Sequence, residues 1–256
     1  MPLRVDKRSV LITGATGRVG SVLATGFAAL GWDLALTTRR ATSASGLEAE
    51  CQSLGAGRVV VVEVDLEHAE ASQELVNQLA AADFSTEVLI NNARDRNYLR
   101  KQPSGIIGRS EWEGELRLGV IVPYELTIAL AASSLSALRT VVNIASIYGV
   151  TPPTLAIYDS PGQSPPESYG ATKAALIHLT KELAVRLAPR IQVNAVSYGG
   201  IKGRTTDDFV RRYEQICPGK RMLDDGDLFG VIRFLASHDA AAITGQNIIV
   251  DDGWTI

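Results

Sequence analysis

The chain is predicted to fold as an α/β protein, one doubly wound parallel sheet of about seven strands with helices on both faces, and three observations predict it. Short β-branched apolar runs alternate with longer amphipathic stretches from end to end, the order that produces parallel strands joined by helical crossovers. The strand-like runs, VVVVEV and VVNIA among them, are continuously apolar instead of alternating, as expected of strands covered on both faces. A glycine-rich turn separates the first strand from the first helix. Length and composition agree: 256 residues, 46% hydrophobic and 21% charged, describe one ordinary globular domain with one core.

The elements follow in order. Strands are expected at Ser9 to Ile12, Asp33 to Thr37, Val59 to Val64, Val88 to Ile90, Val141 to Ile144, Gln192 to Val196 and Asn247 to Val250, each brief, β-branched and flanked by turn residues. Helices are expected over 18–30, 45–54, 68–81, 110–136, 167–188 and 225–236, where the apolar pattern is longer and amphipathic. Two stretches depart from the short loops usual between such elements. Thr151 to Pro166 holds five prolines and Gly162, and Gly199 to Asp225 has no obvious structure.

Composition excludes several classes of function. The net charge of −3 and the lack of a continuous basic face argue against a nucleic-acid binder. That charge is unevenly spread: residues 1–40 carry six Lys/Arg, whereas residues 63–87 carry seven Asp/Glu and no Lys or Arg. Three histidines (His68, His178, His238) and two distant cysteines (Cys51, Cys217) form no metal-ligand pair, so no metal is expected. The apolar stretches around Val22 to Leu36 and Ile128 to Ile144 are broken by Asp33 and Arg139, short of the ~20 residues of a bilayer span. Met1 to Arg8 is charged and poor in apolar residues, unlike a secretory leader; a reducing, cytoplasmic setting is expected, with no membrane partner.

Thr13-Gly14-Ala15-Thr16-Gly17-Arg18-Val19-Gly20 leads from the first strand into a helix. Glycines there allow a tight turn and let the backbone approach a pyrophosphate, whose charge sits at the helix N-terminus. In that context the motif predicts a Rossmann-type dinucleotide site made by Gly14, Thr16, Gly17, Arg18 and Val19; a plain tight turn is the alternative. The second strand ends Thr37-Thr38-Arg39-Arg40, where an acidic residue would bind the ribose 2′-hydroxyl of NAD. Arg39 or Arg40, with Arg18, would clamp a 2′-phosphate instead, so NADP(H) is expected ahead of NAD(H), unless these arginines only solubilise the loop. Asp65-Leu66 after the third strand would wall the adenine pocket or, equally, Asp65 would cap the next helix.

Ser146 ends the fifth strand, and Tyr169-Gly-Ala-Thr-Lys173 opens a long helix. The i, i+4 spacing puts Tyr169 and Lys173 on one helical face. A phenol with a reference pKa near ~10 is a poor acid/base at neutral pH, and a nearby ammonium favours its ionised form. Ser146 would hold a substrate oxygen beside it. Each piece alone is common: such a pair is often surface decoration, and a serine after a strand is often a cap.

In order over practically the whole chain, TGATGRVG, Asn91-Asn92-Ala93, Ser146, YGATK and ITGQNIIVDDGW resemble the short-chain dehydrogenase/reductase family. The runs SIYGV, SPPESYGATKAALIHLTKELA and YGGI resemble the branch similar to flagellin-modification oxidoreductases acting on activated or amino sugars; the broader pattern is also similar to 3-oxoacyl-carrier-protein reductases and pteridine reductases. The resemblance implies one dinucleotide-binding and catalytic domain over 1–256, hydride exchange between nicotinamide and a carbonyl or alcohol carbon, and a homotetramer or homodimer. It implies Tyr169 as acid/base, Lys173 on the nicotinamide ribose and Ser146 orienting the oxygen, with Asn92, Ala93, Gly199, Gly200 and Ile201 lining the nicotinamide half.

Departures from the pattern bear on substrate and turnover. The glycine spacing is TGxxGxxG, with Arg18 in place of a motif glycine; Arg94 stands where the family usually has glycine, and Tyr198 where it has proline. Counting from Trp112, Gly119 falls where an asparagine commonly anchors a proton-relay water. Ser146 and Tyr169 are 23 residues apart, which makes 151–166 an inserted loop over the active site, bringing Tyr158, while 199–225 is expected to bind substrate. Arg94, Arg96, Arg100 and Lys101, and late in the chain Lys202, Arg204, Lys220 and Arg221, follow carboxyl ends of strands, where such sheets bind ligands. An anionic, sugar-like small molecule is the expected substrate, with Arg94, Arg96, Tyr158 and Arg204 contacting it; an ordinary charged rim is the alternative. Reduction of a 3-oxoacyl thioester or a pterin is the second enzymatic reading. A nucleotide-binding sensor with impaired catalysis is the reading of a different class, which retention of Ser146, Tyr169 and Lys173 opposes.

Overall fold

The computed structural model describes residues 8–102, 105–203 and 205–256. Its strands are β1 (Ser9–Ile12), β2 (Asp33–Thr38), β3 (Val59–Glu63), β4 (Val88–Asn91), β5 (Thr140–Ser146), β6 (Gln192–Tyr198) and β7 (Asn247–Val250), in one sheet of order β3-β2-β1-β4-β5-β6-β7. The helices are α1 (Arg18–Ala28), α2 (Ser45–Ser53), α3 (Ala71–Ala81), α4 (Arg109–Leu116), α5 (Val122–Ala132), α6 (Glu167–Leu187), α7 (Asp207–Ile216) and α8 (Phe229–Leu235). The chain divides into two compact units, Met1–Ala93 with Glu125–Val141, and Arg94–Tyr124 with Val142–Ile256.

In the first unit, β1 and β4 are buried along their whole length, which is why their sequences carry no alternation. Helix α1 buries Leu23, Ala24, Phe27 and Ala28, and the rings of Phe27 and Trp32 pack at 4.7 Å. The parallel register sets Ile12 level with Leu36 of β2 and Ile90 of β4. The turns after these three strands therefore start at one edge of the sheet.

The second unit is built on α6, which buries Ser168, Thr172, Lys173, Leu176, Thr180, Leu183 and Ala184. Inside it the amide of Asn143 on β5 donates to Thr180 Oγ1 at 2.9 Å, satisfying two buried polar groups at once. The turn Ile147–Gly149 after β5 lies against the α6 backbone. A Cβ on Gly149 would stand 2.6 Å from the Lys173 carbonyl carbon and 2.8 Å from Ala174 N, so only a residue without a side chain lets the end of β5 come so near the helix.

Two expected elements differ. The helix over 110–136 is α4, then a π-helical segment Arg117–Ile121, then α5. The wider turn centres on Gly119, a weak helix former. Beyond Ala132 serine side chains take backbone N–H groups, Leu135 N on Ser133 Oγ at 3.4 Å and Leu138 N on Ser136 Oγ at 3.2 Å, so the helix does not continue to 136. Gly199 to Asp225 is not structureless, because it contains α7. Thr206 caps that helix through Phe209 N at 3.2 Å, Asp207 and Asp208 lie at its positive end, and Val210 and Tyr213 are buried.

The proline-rich segment 151–166 contains short 3-10 turns at Leu155–Ile157 and Pro161–Gln163 and packs on α7. Ile157 is buried with Val210, Tyr213, Cys217 and Met222, flanked by Tyr158, Phe209 and Trp254. Arg212 of α7 donates to Ile157 O at 2.8 Å and pairs with Asp159 at 2.5 Å.

Gly149→Ala is expected to lower stability in urea by ~1–3 kcal/mol, the usual range for overpacking. Gly46→Ala in α2, where an added Cβ meets nothing within 4 Å, should leave stability unchanged or raise it by up to ~1 kcal/mol. Arg212→Ala should speed amide exchange over 151–166 while exchange in β1 stays as in the parent.

Candidate active site

At the sheet edge of the first unit, Thr13 ties two turns together. Its Oγ1 accepts from the backbone N–H groups of Asn92 and Ala93, both at 2.9 Å. The Asn92 amide in turn donates to Thr13 O at 2.9 Å and Gly14 O at 3.1 Å. Gly14 N donates to Thr37 Oγ1 at 3.1 Å and Ala15 N to Thr37 O at 3.2 Å. Gly14 has φ +62°, and a Cβ there would lie 2.8 Å from Ala93 Cα, so the turn needs glycine on both counts.

This scaffold presents α1 with Gly17 as its N-cap, no capping side chain and no acidic residue in the first turn. The positive end of the helix dipole at such a start is a setting suited to a phosphate. Thr16 and Gly17 are exposed, Arg18 and Val19 half-buried. Arg39 and Arg40 are exposed just past β2. Asp65 Oδ1 accepts from Glu67 N at 3.1 Å, closing a local turn ahead of α3 and not capping that helix, while Leu66 is buried. These residues suit a dinucleotide: a glycine turn, a helix start with no capping side chain and two cations beyond the neighbouring strand.

In the second unit, Tyr169 and Lys173 share a face of α6. The Lys173 ammonium is buried, donates to Ile144 O at 2.8 Å and lies 6.0 Å from the centre of the Tyr169 ring. Burial first and the Arg94 guanidinium second push Lys173 down to about 8, with the Glu115 carboxylate opposing them. Arg94 sits 4.7 Å over the same ring, its guanidinium 3.5 Å from the phenol oxygen. Ser146 Oγ accepts from Tyr148 N at 3.2 Å, so this serine does cap the turn Ile147–Gly149. A hydroxyl that accepts one bond still has its own proton to donate.

The structure brings Tyr158 to the site through Tyr148, their hydroxyls 2.5 Å apart. Tyr148 in turn stands edge-on to Tyr169, 6.4 Å between ring centres. Burial raises both Tyr148 and Tyr158 above the ordinary phenol range; the second hydroxyl adds to the rise in Tyr148, while the hydrogen bond shared with Tyr148 opposes it in Tyr158. The segment Gly199–Ile201 is held by Gly199 N on Val250 O at 2.8 Å and Gly200 N on Tyr213 Oη at 3.2 Å. Arg96 is exposed in the turn Arg96–Leu99. Arg204 lies outside the described residues. Of the late cationic rim, Arg221 is engaged with Asp227, at 2.6 and 2.9 Å, and with Asp252 at 3.0 Å, and Lys220 donates to Gln215 O at 2.9 Å. Two further residues, Tyr148 and Glu115, stand among these groups without a motif that marks them. The one sign of Tyr148 is its place two residues after Ser146. Glu115 is a carboxylate on the buried stripe that continues through Leu118, Val122 and Leu126.

Comparison with known proteins gives the family. Residues 14–255 match the family described as enoyl-(acyl carrier protein) reductase. The flagellin modification protein A of Campylobacter coli is 36% identical over 115 residues, 44% of this chain and 45% of that protein. A 3-oxoacyl-[acyl-carrier-protein] reductase of Synechocystis is 30% identical over 251 residues, 95% of each chain. Among solved structures, a short-chain dehydrogenase from Leptospira borgpetersenii with bound NAD+ superposes with a TM-score of 0.83 at 28% identity, covering 98% of this chain and 93% of that one. With a glycine turn opening α1, a Tyr/Lys pair on α6 and a family match across nearly all its length, the chain belongs to the short-chain dehydrogenase/reductase family of oxidoreductases.

Proposed function

We propose that the protein is an NADP(H)-dependent oxidoreductase that moves a hydride between a nicotinamide and the carbonyl or alcohol carbon of a small, polar, anionic, sugar-like substrate. The observation that carries this reading is the buried Lys173 ammonium beside Tyr169 on one face of α6, because binding alone requires neither group. The nicotinamide, when bound, supplies or accepts the hydride. Tyr169 donates its phenolic proton to the carbonyl oxygen in reduction and takes it back in oxidation. Ser146, already accepting from Tyr148 N, donates its own hydroxyl proton to the same oxygen and orients it. Lys173 keeps positive charge next to the phenolate and reaches the nicotinamide ribose.

Substrate class follows from Arg94. Its guanidinium, 3.5 Å from the phenol oxygen, would stand close to any group bonded next to the reacting carbon, and it pairs best with a carboxylate or phosphate. Tyr158, Arg96 and Arg204 are proposed to complete the substrate side. The 151–166 segment, anchored on α7 by Arg212, serves as the cover of that side, and the 199–225 segment as its wall.

Arg18, Arg39 and Arg40 are proposed to bind the 2′-phosphate, with Gly14, Thr16, Gly17 and Val19 at the pyrophosphate and Asp65 and Leu66 at the adenine. Asn92, Ala93, Gly199, Gly200 and Ile201 complete the nicotinamide half.

Single-turnover oxidation of NADPH with a panel of keto sugars and diketones tests the activity. Tyr169→Phe should lower the rate by ~10²–10⁴-fold, the range for a lost general acid, with NADPH binding by fluorescence retained; binding without turnover across the whole panel in the parent protein would overturn the enzymatic reading. Arg39→Asp with Arg40→Asp should lower the NADPH/NADH affinity ratio by roughly 10–100-fold, the effect of losing charge-assisted hydrogen bonds. An unchanged ratio removes the 2′-phosphate from these arginines.

A further inference from the structure

Glu115 and Gly114 are the buried residues of α4, and Glu115 is a carboxylate. It lies on the stripe of Leu118, Val122 and Leu126 and is 3% exposed. An ionised carboxylate at that depth is costly unless opposite charge stands near it. The described charged groups within electrostatic reach are Lys173 of α6 and Arg94 and Asp95 of the segment after β4. The ring of Tyr98, in that same segment, occupies the space a Cβ on Gly114 would take, which presses α4 onto the segment beside Glu115.

Lys173 has the complementary need. Its ammonium is buried and its hydrogen bond goes to a neutral acceptor, Ile144 O, while a second cation, Arg94, shares the Tyr169 ring with it. Asp95 already accepts from Asn97 N at 2.9 Å to start the turn Arg96–Leu99. One helical turn beyond Glu115, Gly119 carries no side chain, and the γ-methyl of Thr172 fills the space one would take. Glu115 is thus the buried acidic residue of α4, one helical turn before the contact with Thr172 of α6.

We propose that Glu115 is a positioning residue of the acid/base site, a buried carboxylate that holds Lys173 in its charged form against the field of Arg94. The signs are consistent. Burial and Arg94 push Lys173 down to about 8 and Glu115 pushes it back up. Burial raises Glu115 itself, Lys173 and Arg94 draw it down, and Asp95 adds to the rise. With the carboxylate present, Lys173 is charged at neutral pH and is discharged as pH rises through about 8. Loss of the carboxylate moves that discharge to lower pH, and loss of Arg94 moves it higher.

The assignment rests on reading Tyr169 and Lys173 as the acid/base pair, yet Lys173 can be read without any substrate. In protein labelled with ¹³C at the lysine ε-carbons, with the Lys173 signal assigned by its loss in Lys173→Met, NMR titration should give a midpoint near 8 for the parent. Glu115→Gln should lower it by about one pH unit, the usual effect of removing one nearby opposite charge, Glu115→Asp should restore most of the shift, and Arg94→Gln should raise it. Glu115→Met, an apolar side chain for that stripe, gives the same downward shift should Glu115→Gln not fold. A Lys173 midpoint unmoved by both charge-removing Glu115 variants overturns the proposal. For NADPH oxidation with a diketone, the basic limb of kcat/KM against pH should move down with Glu115→Gln, whereas a purely structural loss lowers the rate equally at every pH. A parent protein that turns over nothing but shows the titration shift would refute the proposed function and leave the Glu115–Lys173 coupling intact.

Discussion

A buried ammonium has to find a hydrogen-bond acceptor and a compensating field, and in the second unit much of the local structure follows from that need. Lys173 takes its acceptor from the backbone of β5 at Ile144 O, which requires the end of β5 to lie against α6. That approach is possible only because Gly149 has no side chain to meet the Lys173 and Ala174 backbone. The same close contact delivers Ser146, which caps the turn through Tyr148 N. Tyr148 then stands edge-on to Tyr169 and meets Tyr158 hydroxyl to hydroxyl. The 151–166 segment is therefore tied at Tyr158 to the turn beside Tyr169 and at Ile157 and Asp159 to α7.

The first unit meets the opposite electrostatic condition. There α1 starts without a capping side chain or an acidic residue in its first turn, and Arg39 and Arg40 are exposed beyond β2. Such an arrangement is unfavourable for stability by itself, since a capping side chain contributes typically ~1 kcal/mol. Its shape is nonetheless held by several hydrogen bonds among Thr13, Gly14, Thr37, Asn92 and Ala93. A rigid turn leading into a helix start with no capping side chain is a form suited to an anion.

Most of the architecture could be read from the chain. All seven strands form where brief apolar runs occur, because continuous β-branched sequence fits a sheet covered on both faces. The two misread regions have physical causes. The 110–136 pattern reads as one amphipathic helix, but Gly119 and the serines after Ala132 alter backbone hydrogen bonding without altering the hydrophobic period. Helix α7 is short and strongly charged, and its apolar residues Val210 and Tyr213 find their partners in Ile157, Cys217 and Met222. Asn92 shows a subtler difference: its amide supports the glycine turn through Thr13 O and Gly14 O, a role no local pattern announces.

What the sequence determined by itself was everything that depends on spacing along one element: the glycine turn at the start of α1, the Tyr169–Lys173 face, Ser146 at a strand end and the cations after β2. These follow from helix and strand periodicity, which neighbouring residues set directly. The tertiary structure decided which distant groups share a field. Arg94 over Tyr169, Glu115 near Lys173 and Tyr148 against Tyr158 join residues from separate elements. Whether such groups meet depends on packing distances of a few ångströms, and the strength of charge interactions depends on burial, neither of which is encoded in any local pattern.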